Sequence, residues 1–270
     1  MAHPNNSDEI ERVRTYISQA EVEVNHLEIT PRILTRYAFD SVALEAVSKA
    51  FALSKACLAL LSQNYPDEAH GLSRSLVECA INLRYLTQNP TLLDQRTDDF
   101  IRYFWTSKAY WLHQALQQFA GKPEEQEIRR YARQQGIDSG AKAARRHWSG
   151  CRSFVWDVTL DDHPLDGPAA NEHFRKTSYA VDYYQTSSFV HCSQPALDNY
   201  FPEGRDPYRV SSSSGKYDQP SQKTLFIIVI YLHSTIAYAL FGMNVDRPAT
   251  LNVLFQTTLN NMKPVQRLHR

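Results

Sequence analysis

The sequence predicts an all-α fold, a helical bundle with long helices and an irregular loop region. Apolar residues recur at the three- and four-residue spacing of amphipathic helices over long segments. Proline often stands where such a segment begins and glycine where one ends, as at helix termini. Only 9 of the 270 residues are glycine, which disfavours strand-and-turn architectures and glycine-rich nucleotide folds. We therefore expect a single helical domain over residues 1–270.

The N-terminal half contains five predicted helices. The first runs from Ser7 to about Leu27, because Ser-Asp-Glu is typical of a helix start. The others are predicted, in chain order, from Pro31 to Leu61, from Pro66 to just before Asn89, from about Thr91 to Phe119, and from Glu124 to Gln135.

The second half is less regular. Residues 136–170 are rich in Gly, Asp and Pro and are predicted as an ordered loop region, after which a helix resumes from Asn171 to His191. Residues 193–220 are predicted to form a loop or flap, on their Pro, Gly and Ser content. Residues 221–262 are predicted to form a C-terminal pair of helices.

The segment from Thr224 to Gly242 contains no Asp, Glu, Lys or Arg and is apolar on all sides. Such a helix is buried either in protein or in lipid, and this one reaches the lower length limit of a membrane span. The polar residues His233, Ser234 and Thr235 at its centre favour a core helix, as do the amphipathic helices that need a central partner. The membrane span remains the alternative.

Composition excludes several classes of protein. The chain has 29 Lys and Arg against 29 Asp and Glu, which argues against a broadly basic nucleic-acid coat. The N-terminus has no apolar signal segment and the four cysteines form no paired motif, so we expect a cytoplasmic protein with free thiols. No metal or cofactor is expected; Asp157, Asp161, Asp162 and His163 form the weak metal alternative.

A polar stripe crosses the predicted third helix. Arg74, Glu78 and Asn82 follow one another at four-residue spacing, with apolar residues on both sides, whereas Ser73 and Arg84 are expected at a solvent-facing edge. A buried charge is costly unless it is paired. The stripe is therefore either an intrahelical Arg–Glu pair that fixes helix register or part of a polar pocket in the bundle core.

A second polar group lies late in the chain. Tyr184, Ser188 and His191 would share about 60° of arc on a helix. They form either a hydrogen-bonded core cluster or a site in which His191 transfers protons near neutral pH. No G-x-S-x-G elbow accompanies the Ser and His, so the pattern is not that of a hydrolase triad.

These two segments carry a resemblance. Leu72-Ser-Arg74-Ser-Leu-Val-Glu78-Cys-Ala-Ile-Asn82-Leu-Arg-Tyr85-Leu86, with Trp148-Ser-Gly150 and Tyr184 to His191, resembles the uncharacterised bacterial family called domain of unknown function 5677. The resemblance implies a family-like core over residues 28–192. The all-helical pattern with its late His is also loosely similar to that of the HEPN helical-bundle ribonucleases. Those enzymes have an Arg four to six residues before their His, and no Arg stands in that window before His191.

Three functions follow as hypotheses, of which the third is a small-ligand sensor that uses the pocket of the polar residues named above. In the first, the protein acts on RNA or another phosphate-bearing ligand: Arg74 binds the anion, Glu78 orients or deprotonates, and His191 is the general acid or base, as in a degenerate nuclease of phage defence. Asn82, Tyr184 and Ser188 would contact the substrate. In the second, the protein is a non-catalytic binding or oligomerisation module, with a second copy of the chain as partner, and its buried polar network is structural.

Overall fold

The computed structural model describes residues 4–27, 37–134, 162–174 and 218–262. Over these ranges it contains eight α-helices, a 3-10 turn at Pro90–Leu92 and no strand, which confirms the all-α prediction. The helices are α1 (Pro4–His26), α2 (Tyr37–Ser62), α3 (Pro66–Gln88), α4 (Leu93–Gln118), α5 (Pro123–Gln134), α6 (Pro168–His173), α7 (Asp218–Gly242) and α8 (Ala249–Asn260).

Helix α7 forms the centre of the bundle. It packs against α3, α2, α1 and α8, and its side chains supply much of the buried core. Residues Ser221–Gly242 are long and apolar enough to cross a membrane by length and composition. However, 78% of the residues in an apolar 18-residue window of this helix are buried inside the protein, so the predicted core helix is confirmed. Burial against several neighbours explains why its apolar surface extends around the whole helix.

The predicted helices agree closely with the observed ones where both can be compared. Helix α3 has the predicted bounds, and Cys57 and Cys79 are buried free thiols as expected. The predicted flap at 193–220 lies outside the described residues apart from its last three, which form the first turn of α7 instead of a loop. Pro220 fits there because a helix does not need the backbone N–H groups of its first turn. The ranges 136–161 and 175–191 also lie outside the described part of the chain.

Two asparagines end helices in the left-handed conformation. Asn64 follows α2 with φ 64°, and Asn244 follows α7 with φ 55°. After α2, the N–H of Tyr65 bonds to the carbonyl of Leu60 at 2.9 Å and that of Asn64 to Leu61 at 3.1 Å. This is the Schellman arrangement, which satisfies the last carbonyls of a helix and favours Gly or Asn at the left-handed position.

Replacing Asn64 by Ala is expected to lower the free energy of unfolding by about 1 kcal/mol, because a Cβ-bearing residue other than Asn is disfavoured at positive φ. Asn64→Gly is expected to be neutral or stabilising. Asn64 is solvent-exposed, so neither change disturbs packing. Urea unfolding of the two variants measures the difference, and equal stabilities would contradict the left-handed assignment.

Gly242 lies where α7 packs tightly against α2 and α3. A Cβ built at this position would overlap the ring of Phe39 in α2 and lie 2.7 Å from Cγ2 of Thr87 in α3. Both neighbours are themselves buried. Three helices therefore meet at a point where only glycine fits.

Gly242→Ala is expected to destabilise the protein by roughly 1–3 kcal/mol, the usual cost of overpacking a tight core. The matched control is Gly167→Ala, where a Cβ would meet nothing within 4 Å. Thermal unfolding should show a clear loss for the first variant and little change for the second. A Gly242→Ala protein as stable as wild type would disprove the close approach.

Candidate functional site

The predicted stripe on α3 begins with a pair that is bonded along its own helix. Arg74 Nε donates to Glu78 Oε1 at 3.1 Å, and their side chains are 21% and 29% exposed. Asn82, one turn further along, is half-buried. A pair of this kind, with the cation nearer the N-terminus, adds only a few tenths of a kcal/mol to helix stability. Its geometry is that of an intrahelical Arg–Glu pair, which was the first of the two interpretations of the stripe.

The expectation for Ser73 and Arg84 is wrong. Both side chains are completely buried, and Arg84 is the largest fully buried side chain among the described residues. The buried face of α3 is the one on which His70, Ser73, Arg84 and Thr87 lie, against α7. A helix with polar residues at this many buried positions needs bonding partners from elsewhere in the chain.

Those partners come from the segment 162–174. Arg84 Nε donates to Asp166 Oδ2 at 3.1 Å, and Arg84 Nη2 donates to Asn171 Oδ1 at 2.9 Å. The hydroxyl of Tyr238, on α7, donates to both oxygens of Asp166 at 3.0 Å. The guanidinium also lies 4.8 Å from the ring centre of Phe174. We call these residues, with Thr87 and His163, the Arg84 network; it fastens α3, α7 and the 162–174 segment together.

The backbone of this segment is held by the same network. Asn171 Oδ1 also accepts the N–H of His163 at 2.9 Å, and Asn171 Nδ2 donates to the carbonyl of Asp166 at 3.2 Å. The oxygen and the nitrogen of the Asn171 amide thus both bond to the backbone of the loop before α6. Such a complete set of bonds is what allows charged groups to be buried.

His163 uses both ring nitrogens inside the protein. Its Nδ1 accepts the N–H of Leu165 at 3.1 Å, so its Nε2 carries the proton and donates to Thr87 Oγ1 at 3.0 Å. Burial, together with the charge of Arg84, lowers the pKa of His163 to about 3. His163 is therefore a neutral structural residue, and its nitrogens are occupied. Of the other members of the metal alternative, Asp162 is exposed, whereas Asp157 and Asp161 lie outside the described residues.

Burial also shifts the pKa values of the Asp166 carboxyl and the Tyr238 hydroxyl in this network. It raises the pKa of Asp166, an effect that the Arg84 guanidinium and the Tyr238 hydroxyl oppose. Burial and the neighbouring Asp166 raise the pKa of Tyr238, which therefore remains a hydrogen-bond donor. The network thus joins one cation to one carboxylate and is electrically balanced.

A cleft of about 590 Å³ adjoins this network. It opens where α3 and α7 end, between the final turn of α7, the chain that follows it, and the loop before α6. Its apolar lining is contributed by Pro90, Leu93, Leu165, Ala237, Phe241 and Val245. Its polar lining consists of Thr87, Asn244, Asp246 and Arg247. Arg74, Glu78 and Asn82 do not line it.

Arg247 is the cationic side chain of this cleft. Its Nη1 lies 3.5 Å from Nε2 of His233, whose ring stacks on Phe255 at a centre-to-centre distance of 4.0 Å. Burial and the charge of Arg247 lower the pKa of His233 to about 3, so His233 is a neutral acceptor. Burial lowers the pKa of Arg247, while the charge of Asp166 raises it.

The residues predicted for the late segment lie outside the described part of the chain. Tyr184, Ser188 and His191 are among them, so their meeting with α3 stays a prediction. Residues 148–150, which also carry the resemblance, lie outside the described residues as well.

Residues 40–207, more than half of the chain, match the model of a family of unknown function, DUF5677. The chain belongs to the DUF5677 family. This confirms the resemblance found on the α3 and Tyr184–His191 segments. The matched range of this DUF5677 protein includes Arg84, Asp166 and Asn171 of the Arg84 network. Tyr238 and Arg247 lie beyond it. Comparison with curated proteins finds no match, and neither does comparison with solved structures.

Sequence reasoning missed Arg84, but its signal was present. His70, Ser73, Val77, Ala80, Arg84 and Thr87 repeat at alternating three- and four-residue steps, which is the spacing of one buried helix face. The four polar residues at the two ends of that line, His70, Ser73, Arg84 and Thr87, disguised it. No comparable signal marked Asp166, Asn171 or Arg247. These residues lie in short loops or in the short helix α6, where periodicity gives no information.

Proposed function

We propose that this DUF5677 protein is a non-catalytic binding module that holds one small ligand in the cleft beside the Arg84 network. The observation that carries the proposal is the cleft itself. Its volume of about 590 Å³ falls within the range of roughly 300–1,000 Å³ typical of small-molecule sites, and its walls combine apolar side chains with several polar groups.

The Arg84 network supports this function by fixing the cleft wall. Thr87 belongs to both the network and the lining, and Leu165 lines the cleft while its N–H is bonded to His163. Asp166, the next residue, is bonded to Arg84 and Tyr238. A wall held by buried bonds loses little conformational freedom on binding, which favours affinity. The buried polar residues of the Arg84 network then have a structural role, although they are not the residues that the second sequence hypothesis named.

The test uses N-phenyl-1-naphthylamine, a neutral apolar dye whose fluorescence rises in apolar surroundings. We expect saturable binding at one site per chain. Val245→Trp, which fills the cleft from its partly buried wall, should abolish binding. The matched control is Val253→Trp on α8, where the side chain is 64% exposed and away from the lining. Equal binding to both variants, with both folded by circular dichroism, would refute the cleft as the site.

Phosphodiester cleavage is the competing function. It assigns catalysis to His191, Glu78 and Arg74, and the partly exposed Arg74–Glu78 pair favours it because such a pair stays within reach of a solvent-borne ligand. This function predicts that His191→Ala and Glu78→Gln lose cleavage of single-stranded RNA without a fall in melting temperature. A wild-type protein that leaves RNA intact, or variants that cleave at the wild-type rate, would exclude it.

A further inference from the structure

We propose that the ligand of this cleft is an amphipathic anion, an apolar body with one carboxylate, sulfonate or phosphate group, and that Arg247 is its counterion. This inference rests on the binding function proposed above and adds the chemical class of the ligand. It depends on what surrounds the guanidinium.

Arg247 is a partly buried cation without a carboxylate partner. No Asp or Glu oxygen of the described residues lies within 4.0 Å of its nitrogens. Its hydrogen bond goes to Nε2 of His233, a neutral ring held by stacking on Phe255. This contact, at 3.5 Å and to a neutral ring, leaves the guanidinium without a directly paired anion.

The neighbouring acids do not pair with Arg247 directly, although the charge of Asp166 raises its pKa. Asp166 is engaged by Arg84 and Tyr238. Asp246, the adjacent residue in the chain, is exposed to solvent. Since partial burial of an unpaired guanidinium is unfavourable, an incoming anion gains more here than at the surface. The planar guanidinium also offers paired N–H donors that match a carboxylate or phosphate.

The remaining walls define the rest of the ligand. Leu93, Leu165, Phe241 and Val245 line the same cleft as Arg247. Burying an apolar body against them is favourable at about 25 cal/mol per Å². The cleft thus places one partly buried cation beside apolar walls, and its one acidic residue, Asp246, is exposed to solvent. This arrangement is the complement of an amphipathic anion.

The experiment compares two dyes that share the phenylnaphthylamine body. 8-Anilinonaphthalene-1-sulfonate carries a sulfonate, and N-phenyl-1-naphthylamine does not. Fluorescence titration of the full chain should show about tenfold or tighter binding of the sulfonate dye. Arg247→Gln should weaken the sulfonate dye about tenfold or more and leave the neutral dye unchanged, while Arg247→Lys should retain most of the preference. Arg129→Gln, an exposed arginine of α5, is the matched control and should bind both dyes as wild type does.

The outcomes separate this inference from the function on which it rests. Equal affinity for both dyes, with binding lost in Val245→Trp, would overturn the anion and leave the cleft as a binding site. Weakening of both dyes by Arg247→Gln would overturn it too, because it would give Arg247 a purely structural role. Binding of neither dye to the wild-type chain would overturn the proposed function itself.

Discussion

Replacing Arg84 by Met is expected to lower the free energy of unfolding by about 3–5 kcal/mol, the usual cost of removing one partner of a buried ion pair. Arg84 is completely buried, and the side chain of Asp166 opposite it is only 8% exposed. Without the guanidinium, Asp166 would remain as an uncompensated carboxylate and Asn171 would lose a donor. Urea unfolding measures the change.

The control is Arg74→Met, ten residues earlier on the same helix. Arg74 is partly exposed and paired along the helix, so its loss should cost about 0.5 kcal/mol or less. A double variant, Arg84→Met with Asp166→Asn, should be less destabilised than the sum of its single variants, because no charge is left without a partner. The roles assigned to the two arginines fail if Arg84→Met and Arg74→Met unfold at the same urea concentration.

Acidification is expected to unfold the protein steeply below pH 6.5. Burial lowers the pKa of His70, His163 and His233 to about 3, with Lys223, Arg84 and Arg247 respectively adding to the effect. In the unfolded chain each would titrate near 6.5. Between these values the unfolded state binds protons that the folded state does not, so stability is present at neutral pH and falls as the pH falls. Each histidine contributes about 1.4 kcal/mol per pH unit, or roughly 4 kcal/mol for the three.

The slope of the free energy of unfolding against pH measures this proton uptake. Asp166 opposes it, because its raised pKa lets the folded state gain a proton as the pH falls. His70→Gln should reduce the number of protons taken up on unfolding, and with it the slope, by about one proton, whatever its effect on stability at pH 7. His113→Gln, at an exposed position of α4, is the control and should leave the slope unchanged. A stability that is constant from pH 7 to pH 5 would show that these histidines are accessible to solvent.

Periodicity predicted the helices well and the buried face of α3 poorly. Bounds such as those of α3 and the core position of α7 follow from local composition, since proline, capping residues and an unbroken apolar run act within a few residues. The same periodicity placed Arg84 in solvent, because a polar residue on a helix is normally exposed. The partner that makes its burial favourable, Asp166, is 82 residues away.

The sequence by itself therefore determined the all-α architecture and membership of the DUF5677 family, and it favoured a core position for α7. Only the tertiary structure decided which arginine of α3 is buried, where the cleft opens and that Arg247 lines it. The physical reason is the range of the interactions. Helix propensity and apolar patterning are summed over neighbouring residues, whereas burial of a charge depends on groups that only the folded chain brings within hydrogen-bonding distance.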